Sequence, residues 1–423
     1  MKKLVCVTLV TACILTVLLA LFVSYTTKSS DPTADNWIVA RESITKFSQS
    51  FYFDRFDIVH AYYVRSEWVK TRDFPYSFTN QEYPPLGVLY FSIPRIFTST
   101  EHGYIQVFVG FAVLTYFAFL FIMWKLLAAL HRPQWYMAAL FLPSFLYFIA
   151  SRFDIFAATI IMVAVWLLVK KKFVGSMVLL GVAMLIKWYP ILLIPFAIAW
   201  ASQQGVSRRI IKKGICWASA VFVFVTGTTI VMSGLGALFP YAFHTSRFIE
   251  VGSLVSVILK LLYAMHIPVG SEAVIVGIGL ALFGVQLLPL LYGTLSYADM
   301  KRRVFSFDDF IRFSFLAVVL FAHVGKIYSP QWEIWWLPLV LLVMRGRFEW
   351  TLLIIVDVLN YIMFPLIPIL FESVGFRTFY FDAIVIFHAA TILLLSISIA
   401  KPLFTHRQSK QMQGAEMSTP ITY

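Results

Sequence analysis

The chain has 423 residues, of which 60% are hydrophobic and only 13% are charged. Soluble domains contain about 45–50% apolar and about 25% charged residues, so this composition excludes a water-soluble protein. The net charge of +13 lies in short Lys and Arg tracts between apolar segments, which is typical of membrane topology rather than of nucleic-acid binding. The sequence therefore predicts an all-α polytopic membrane protein.

The N-terminal residues predict a membrane anchor. Lys2 and Lys3 precede an apolar run that reaches Val23, and no small-x-small cleavage site precedes Ser24. We interpret residues 1–24 as an uncleaved signal-anchor helix that begins in the cytoplasm. Residues 25–100 then form a long first extracytoplasmic loop, in which the apolar residues 84–97 are predicted to be re-entrant.

The rest of the chain predicts a helical bundle whose ends alternate between the two sides of the membrane. Residues 101–400 contain most of about 12 predicted spans, each needing about 20 apolar residues, and residues 401–423 form a cytoplasmic tail. Basic groups mark the predicted cytoplasmic turns: Lys125 with Arg132, Lys170 to Lys172, Arg208 with Lys213, Lys301 to Arg303, and Arg345 with Arg347. Counting residues 251–265 as a span would reverse this order, so we interpret them as re-entrant or interfacial.

One group of polar residues lies in the first extracytoplasmic loop. Asp54, Asp57 and His60 are three residues apart, so an α-helix would present them on one face. A carboxylate held beside the neighbouring aromatic residues is a candidate general base. The alternative is a solvated helix in which these residues only keep the surface polar.

A second group lies at the predicted outer edge of the membrane, on separate segments of the chain. Ionisable groups there are costly and indicate function. We expect Lys187 and Lys326 to bind an anion, whereas Arg152 with Asp154 is equally well explained as an ion pair that joins two helix ends. The group consists of Arg152, Asp154, Lys187, His244, Arg247 and Lys326.

The cysteines predict neither a disulfide framework nor a metal site. Cys6, Cys13 and Cys216 have no paired spacing and no His neighbours suited to binding a metal.

Six short motifs follow one another in a specific order along residues 50–370. They are Asp57-x-x-x-x-Tyr62, Glu82-Tyr83-Pro84-Pro85-Leu86, Arg152-Phe153-Asp154, Lys187-Trp188-Tyr189-Pro190, His244-x-x-Arg247-x-x-Glu250, and Lys326-x-x-Ser329-Pro330-Gln331-x-x-x-Trp335. At these residues the chain resembles the family 87 glycosyltransferases, the polyprenyl-phosphate-mannose-dependent mannosyltransferases of the GT-C superfamily. It departs from them at Phe248, where relatives often have Gly.

The resemblance implies a GT-C-type bundle in the plasma (inner) membrane with its active site on the extracytoplasmic face. It implies transfer of a hexose, mannose in this family, from a polyprenyl-phosphate sugar to a glycolipid or glycan acceptor with inversion at the anomeric carbon. No cofactor is implied. Because the donor phosphate is already on a lipid and the outer loops carry no DxD motif, we also expect no metal.

The resemblance also implies roles for individual residues. Asp57 matches the family's catalytic carboxylate, and Asp54 remains an alternative. The donor phosphate is expected to contact Lys187, Arg247, Lys326 and His244. Further substrate contacts are expected from Tyr83, Arg152, Asp154, Tyr189, Glu250, Ser329 and Gln331.

Two other functions fit many helices with basic outer groups. A transporter or flippase of a lipid-linked saccharide would carry its charged groups near the membrane midplane, whereas these groups lie at one side. A polysaccharide ligase or polymerase that uses a polyprenyl-diphosphate donor is expected to carry more paired Arg residues in its outer loops.

Overall fold

The computed structural model describes residues 57–71, 73–77, 81–241, 249–267, 305–367 and 379–416, with isolated helical positions between 277 and 292. Within these residues every regular element is helical, which confirms the all-α class. The predicted signal anchor lies outside the described residues, as do Asp54, His244 and Arg247.

The described chain begins with short helical pieces and continues as a bundle. A π-helical turn, Asp57–Tyr63, is followed by α1 (Trp68–Thr71), α2 (Pro85–Ser92) and α3 (Pro94–Phe97). The bundle consists of α4 (Glu101–Ala129), α5 (Pro143–Ser151), α6 (Asp154–Val169), α7 (Phe173–Met184), α8 (Ile194–Gln203), α9 (Arg208–Ser233), α10 (Leu254–Ala264), α11 (Phe307–His323), α12 (Glu333–Val343), α13 (Arg347–Tyr361) and α14 (Phe379–Glu416).

Four stretches of the described chain are long and apolar enough to cross a membrane: Glu101–Ala129, Arg208–Tyr241, Arg347–Leu366 and Tyr380–Phe404. The pair α5 and α6, bent by 107°, makes a fifth if it counts as one span. The predicted count of about twelve is therefore not confirmed. Several predicted spans are shorter or broken helices, as α7, α8 and α12 show.

Helix breaks fall where the sequence supplies them. Pro143 begins α5, and the extended backbone of Arg152 ends it, so the chain turns sharply before α6. The predicted break at Lys187 is confirmed: α7 ends at Met184, and a 3-10 turn with Pro190 near its start follows. Both breaks carry ionisable side chains at helix ends instead of within apolar helices.

Three segments predicted to be cytoplasmic meet at one end of the bundle. Arg132, beyond the end of α4, lies 2.6 Å from the carboxylate of Asp308 in α11 and donates a 2.9 Å hydrogen bond to the carbonyl of Leu342 in α12. Arg312 and Arg345 lie 3.3 and 3.5 Å from the same carboxylate. The predicted alternation of helix ends is consistent with this cluster, while the side that each end faces stays a prediction.

Two predicted boundaries can be compared with the helices. α10 has 11 residues and is about 16 Å long, too short to cross a core of about 30 Å. Its Lys260 lies 2.6 Å from Asp382 in the first turn of α14. The short length of α10 fits the re-entrant or interfacial interpretation of residues 251–265, which stays a prediction. α14 itself continues to Glu416, beyond the predicted end of the bundle at residue 400.

The predicted sidedness can be tested by cysteine labelling in a background without Cys6, Cys13 and Cys216. The exposed residues Ser99 and Lys172 lie in turns assigned to opposite sides. We expect an impermeant maleimide to label Ser99→Cys in intact cells and Lys172→Cys only after permeabilisation. The reverse pattern, or equal labelling, would contradict the topology.

Candidate active site

The carboxylate of Asp57 pairs with an arginine from a distant part of the chain. Asp57 begins the π-helical turn, and that turn is held by Tyr62, whose ring is fully buried and stacks on Phe91 and Phe108. Nη2 of Arg152 lies 3.0 Å from Oδ2 of Asp57. The side chain of Asp57 is 31% exposed and that of Arg152 only 6%. The carboxylate of Asp57 therefore forms an ion pair with a buried arginine and is still accessible to solvent.

Arg152 joins three segments of the chain. It occupies the break between α5 and α6, where Nη1 donates a 3.1 Å hydrogen bond to the carbonyl of Ser151. Nε donates to Oε1 of Gln331, in the 3-10 turn before α12. A guanidinium offers five donors in a fixed plane, so one side chain can orient both Asp57 and Gln331.

A second ion pair lies beside the first. Nζ of Lys187 is 3.3 Å from Oδ1 of Asp154, which is completely buried at the start of α6. The same oxygen accepts a 2.7 Å hydrogen bond from Nε1 of Trp335, while no donor among the described residues reaches Oδ2. An unpaired charge at this depth would be strongly destabilising, so the three groups depend on one another.

Aromatic rings surround the ammonium group of Lys187. Nζ lies 4.5 Å from the ring centroid of Phe153, 5.0 Å from that of Tyr83 and 5.9 Å from that of Trp335. Tyr189 stacks on Trp335 with centroids 4.3 Å apart and an interplanar angle of 5°. Cation–π attraction stabilises a cation that has little contact with water.

Backbone contacts set the position of Lys187. The N–H groups of Leu86 and Gly87, at the start of α2, donate to the carbonyl of Leu185 at 2.8 and 3.2 Å. A Cβ on Gly87 would lie 2.8 Å from the carbonyl oxygen of Ile186. The close approach of α2 to the turn before Lys187 therefore requires glycine.

Tyr83 lies at the start of this contact. Its ring meets Phe153 edge-on at 5.0 Å, and its carbonyl accepts a 2.6 Å hydrogen bond from the hydroxyl of Tyr76. The neighbouring Glu82 forms an ion pair with Arg65. Burial, and then the charge of Glu82, raise the pKa of the Tyr83 phenol well above its usual value. Tyr83 is therefore a neutral hydroxyl at physiological pH and not a base.

The remaining described candidates lie in two segments that meet. The N–H of Glu250 donates a 2.9 Å hydrogen bond to the carbonyl of Lys326. Ser329 follows in the same loop, and its carbonyl accepts from the N–H of Trp332 at 2.9 Å. The motif around Glu250 is therefore adjacent to the one that begins at Lys326.

Seven of the predicted site residues are thus brought into one cluster, although they come from distant positions in the sequence. This cluster consists of Asp57, Tyr83, Arg152, Asp154, Lys187, Tyr189 and Gln331. Arg152 pairs with Asp57, and Asp154 pairs with Lys187, so both residues join ion pairs beyond the mutual pair that was the alternative interpretation.

Several residues in or near the cluster were not among the predicted site residues. Phe153 and Trp335 belong to the quoted motifs, but their rings around Lys187 were not assigned a role in the site. Asp357 and Asn360, both fully buried in α13, were not singled out at all. A carboxylate inside a predicted span is itself a signal of function, so Asp357 was detectable by that rule.

The comparison with protein families bears on this cluster directly. Residues 81–300, more than half of the chain, match the model of glycosyltransferase family 87. The chain belongs to glycosyltransferase family 87. No curated protein and no solved structure matches it.

Membership makes this chain a membrane glycosyltransferase, with a sugar donor and an acceptor as its substrates. The matched region contains Tyr83, Arg152, Asp154 and Lys187. Asp57 precedes the matched region and Gln331 follows it. Both contact Arg152, which lies inside the region.

The close approach at Gly87 predicts an effect on stability. We expect Gly87→Ala to lower the free energy of unfolding in detergent by about 1–3 kcal/mol, because the methyl group pushes against the backbone before Lys187. Gly110→Ala in α4 is the control, since a Cβ there meets nothing within 4 Å. Equal stability of the two variants would contradict the close approach.

Proposed function

We propose that this family 87 glycosyltransferase transfers a hexose, mannose in the first instance, from a polyprenyl-phosphate sugar to an extracytoplasmic glycolipid or glycan. The observation that carries the proposal is an accessible carboxylate, Asp57, that pairs with the buried Arg152 beside a second buried cation, Lys187, which pairs with Asp154. Inverting transfer from a phosphate ester needs one base and a positive environment for the leaving group.

In the proposed reaction Asp57 is the general base. The acceptor hydroxyl forms a bond to C1 of the sugar, its proton passes to the carboxylate, and the bond between C1 and the phosphate oxygen breaks. The sugar is inverted because the acceptor attacks opposite the phosphate. Two properties support this role: Asp57 is partly exposed, and Arg152 holds one of its oxygens at 3.0 Å.

The leaving group becomes a polyprenyl phosphate monoester and gains negative charge. Cations close to it stabilise the transition state more than the bound donor, which is the condition for rate enhancement. Lys187 is the best-defined candidate, because Asp154 and the aromatic rings fix its ammonium group. We propose that Lys326, His244 and Arg247 complete the phosphate site, with substrate contacts from Tyr83, Arg152, Asp154, Tyr189, Glu250, Ser329 and Gln331.

The proposed location is the plasma membrane, with the cluster facing away from the cytoplasm. Support comes from the opposite end, where Arg132 and Arg345 gather as the positive-inside rule expects. Membership of a glycosyltransferase family favours transfer chemistry over the transporter or flippase alternative. We expect no cofactor or metal, because the proposed protein cations already stabilise the phosphate. This independence stays a prediction.

The role of Asp57 is tested by Asp57→Asn. We expect the variant to lose about 10²–10⁴-fold in transfer of radiolabelled mannose from polyprenyl-phosphate mannose, since the amide cannot accept the proton. Asp73→Asn, an exposed aspartate of the same outer segment, is the control and should keep wild-type activity.

Each outcome of this assay is informative. An active Asp57→Asn would move the base to Asp54 or elsewhere. No transfer by the wild-type protein would contradict mannose on polyprenyl phosphate as the donor.

The role of Lys187 is tested by Lys187→Met. We expect kcat to fall by about 10²–10³-fold because charge on the leaving phosphate is no longer balanced. Lys212→Met, at an exposed position of α9, should have no effect. Because the single variant leaves Asp154 buried without its countercharge, the double variant Lys187→Met/Asp154→Asn controls for folding. A well-folded double variant with wild-type activity would exclude the role.

A further inference from the structure

We propose that one face of α13, carrying Asp357 and Asn360, positions Arg152 against Asp57. This inference rests on the proposed function of Asp57 as the base. Neither residue of α13 is assigned to the site above, and both act through other residues, so both are positioning residues. They act on the two segments that meet at the guanidinium of Arg152.

The first contact fixes the loop that carries Gln331. The hydroxyl of Tyr328 donates to Oδ1 of Asn360, and Nδ2 of Asn360 donates to Oε2 of Glu333 at 2.8 Å and to the carbonyl of Pro330 at 3.5 Å. Asn360 is thus tied to the loop both before and after Gln331. Its side chain is fully buried, so every lost contact would leave a polar group without water.

The second contact fixes the helix that carries Arg152. Asp357, one turn before Asn360, accepts hydrogen bonds from the N–H groups of Ser144 and Phe145 at 3.3 and 3.2 Å. These N–H groups belong to the first turn of α5, where backbone donors have no partner within the helix. A carboxylate at this end of a helix is stabilising. α5 is a nine-residue helix that ends at Ser151, so its position at Ser144 sets the position of Arg152.

Two histidines close the network behind Tyr328. Nε2 of His388 in α14 lies 3.3 Å from the hydroxyl of Tyr328, and the rings of His388 and His323 stack with centroids 5.5 Å apart. Tyr328 is therefore enclosed by α11, α13 and α14. A buried and connected polar network specifies one arrangement of its members.

The consequence for catalysis follows from the position of Arg152. Gln331 and Ser151 hold the guanidinium, and the guanidinium holds one oxygen of Asp57. If the loop shifts, Arg152 loses its partner Gln331 and the carboxylate loses its orientation. Small displacements of a base lower the rate without abolishing donor binding.

The experiment uses Tyr328→Phe in the full-length protein, which removes one hydroxyl and keeps the buried ring. Tyr116→Phe in α4 is the matched control, because its buried hydroxyl donates to the carbonyl of Leu140 in another part of the bundle. We expect Tyr328→Phe to lower kcat about 5- to 20-fold, with donor KM changed by less than about twofold, and Tyr116→Phe to change neither.

A double-mutant cycle identifies the route. If the network acts through Gln331, Tyr328→Phe should change kcat by less than about twofold in a Gln331→Ala background. If the losses of kcat in Tyr328→Phe and Gln331→Ala multiply in the double variant, the inference is overturned. A loss of thermal stability in Tyr328→Phe without a change in kcat would also overturn it.

Hydrogen exchange separates this inference from the proposed function. Exchange in residues 324–333 and 151–153 should rise in Tyr328→Phe and not in Tyr116→Phe, whether or not the chosen donor is a substrate. Unchanged exchange would overturn the positioning role even in an active enzyme. Raised exchange in a protein that transfers no mannose would support the positioning of Arg152 while contradicting the proposed donor.

Discussion

The buried carboxylate of Asp154 is the constraint on which the rest of the site depends. A charge in an apolar bundle is tolerated only with partners, and here Lys187 and Trp335 share one of its oxygens. These contacts hold together the start of α6, the turn after α7 and the first turn of α12. Since Arg152 lies two residues before Asp154, the same constraint sets the side chain that pairs with Asp57.

The two ends of the bundle use charge in different ways. At one end Asp308 gathers Arg132, Arg312 and Arg345, an arrangement that joins helix ends. At the other end Arg152 pairs with Asp57 and contacts the amide of Gln331, whereas Lys187 pairs with Asp154 and is surrounded by aromatic rings. The proposed polyprenyl-phosphate donor, with its phosphate at the membrane surface and its chain in the lipid, would suit chemistry at one end only.

Parts of this site were predictable from local patterns. Lys187 before Pro190 indicated a turn with a functional cation, and the structure has a helix break there. The short interval from Arg152 to Asp154 indicated a polar helix end, and the structure shows Asp57 and Lys187 as their partners. Asn360 was not predictable, because a single amide in an apolar helix gives no signal until Glu333 and Tyr328 are seen around it.

The sequence by itself determined that the chain is an α-helical membrane protein and that the helices break near Arg152 and Lys187, where polar residues lie. These properties depend on hydropathy, proline and charge within a short window of sequence. Only the tertiary structure decided the partners: Asp57 with Arg152, Lys187 with Asp154, and α13 with the loop of Gln331. Lipid is as apolar as a protein interior, so an apolar helix does not reveal which of its faces meets another helix and which meets the membrane.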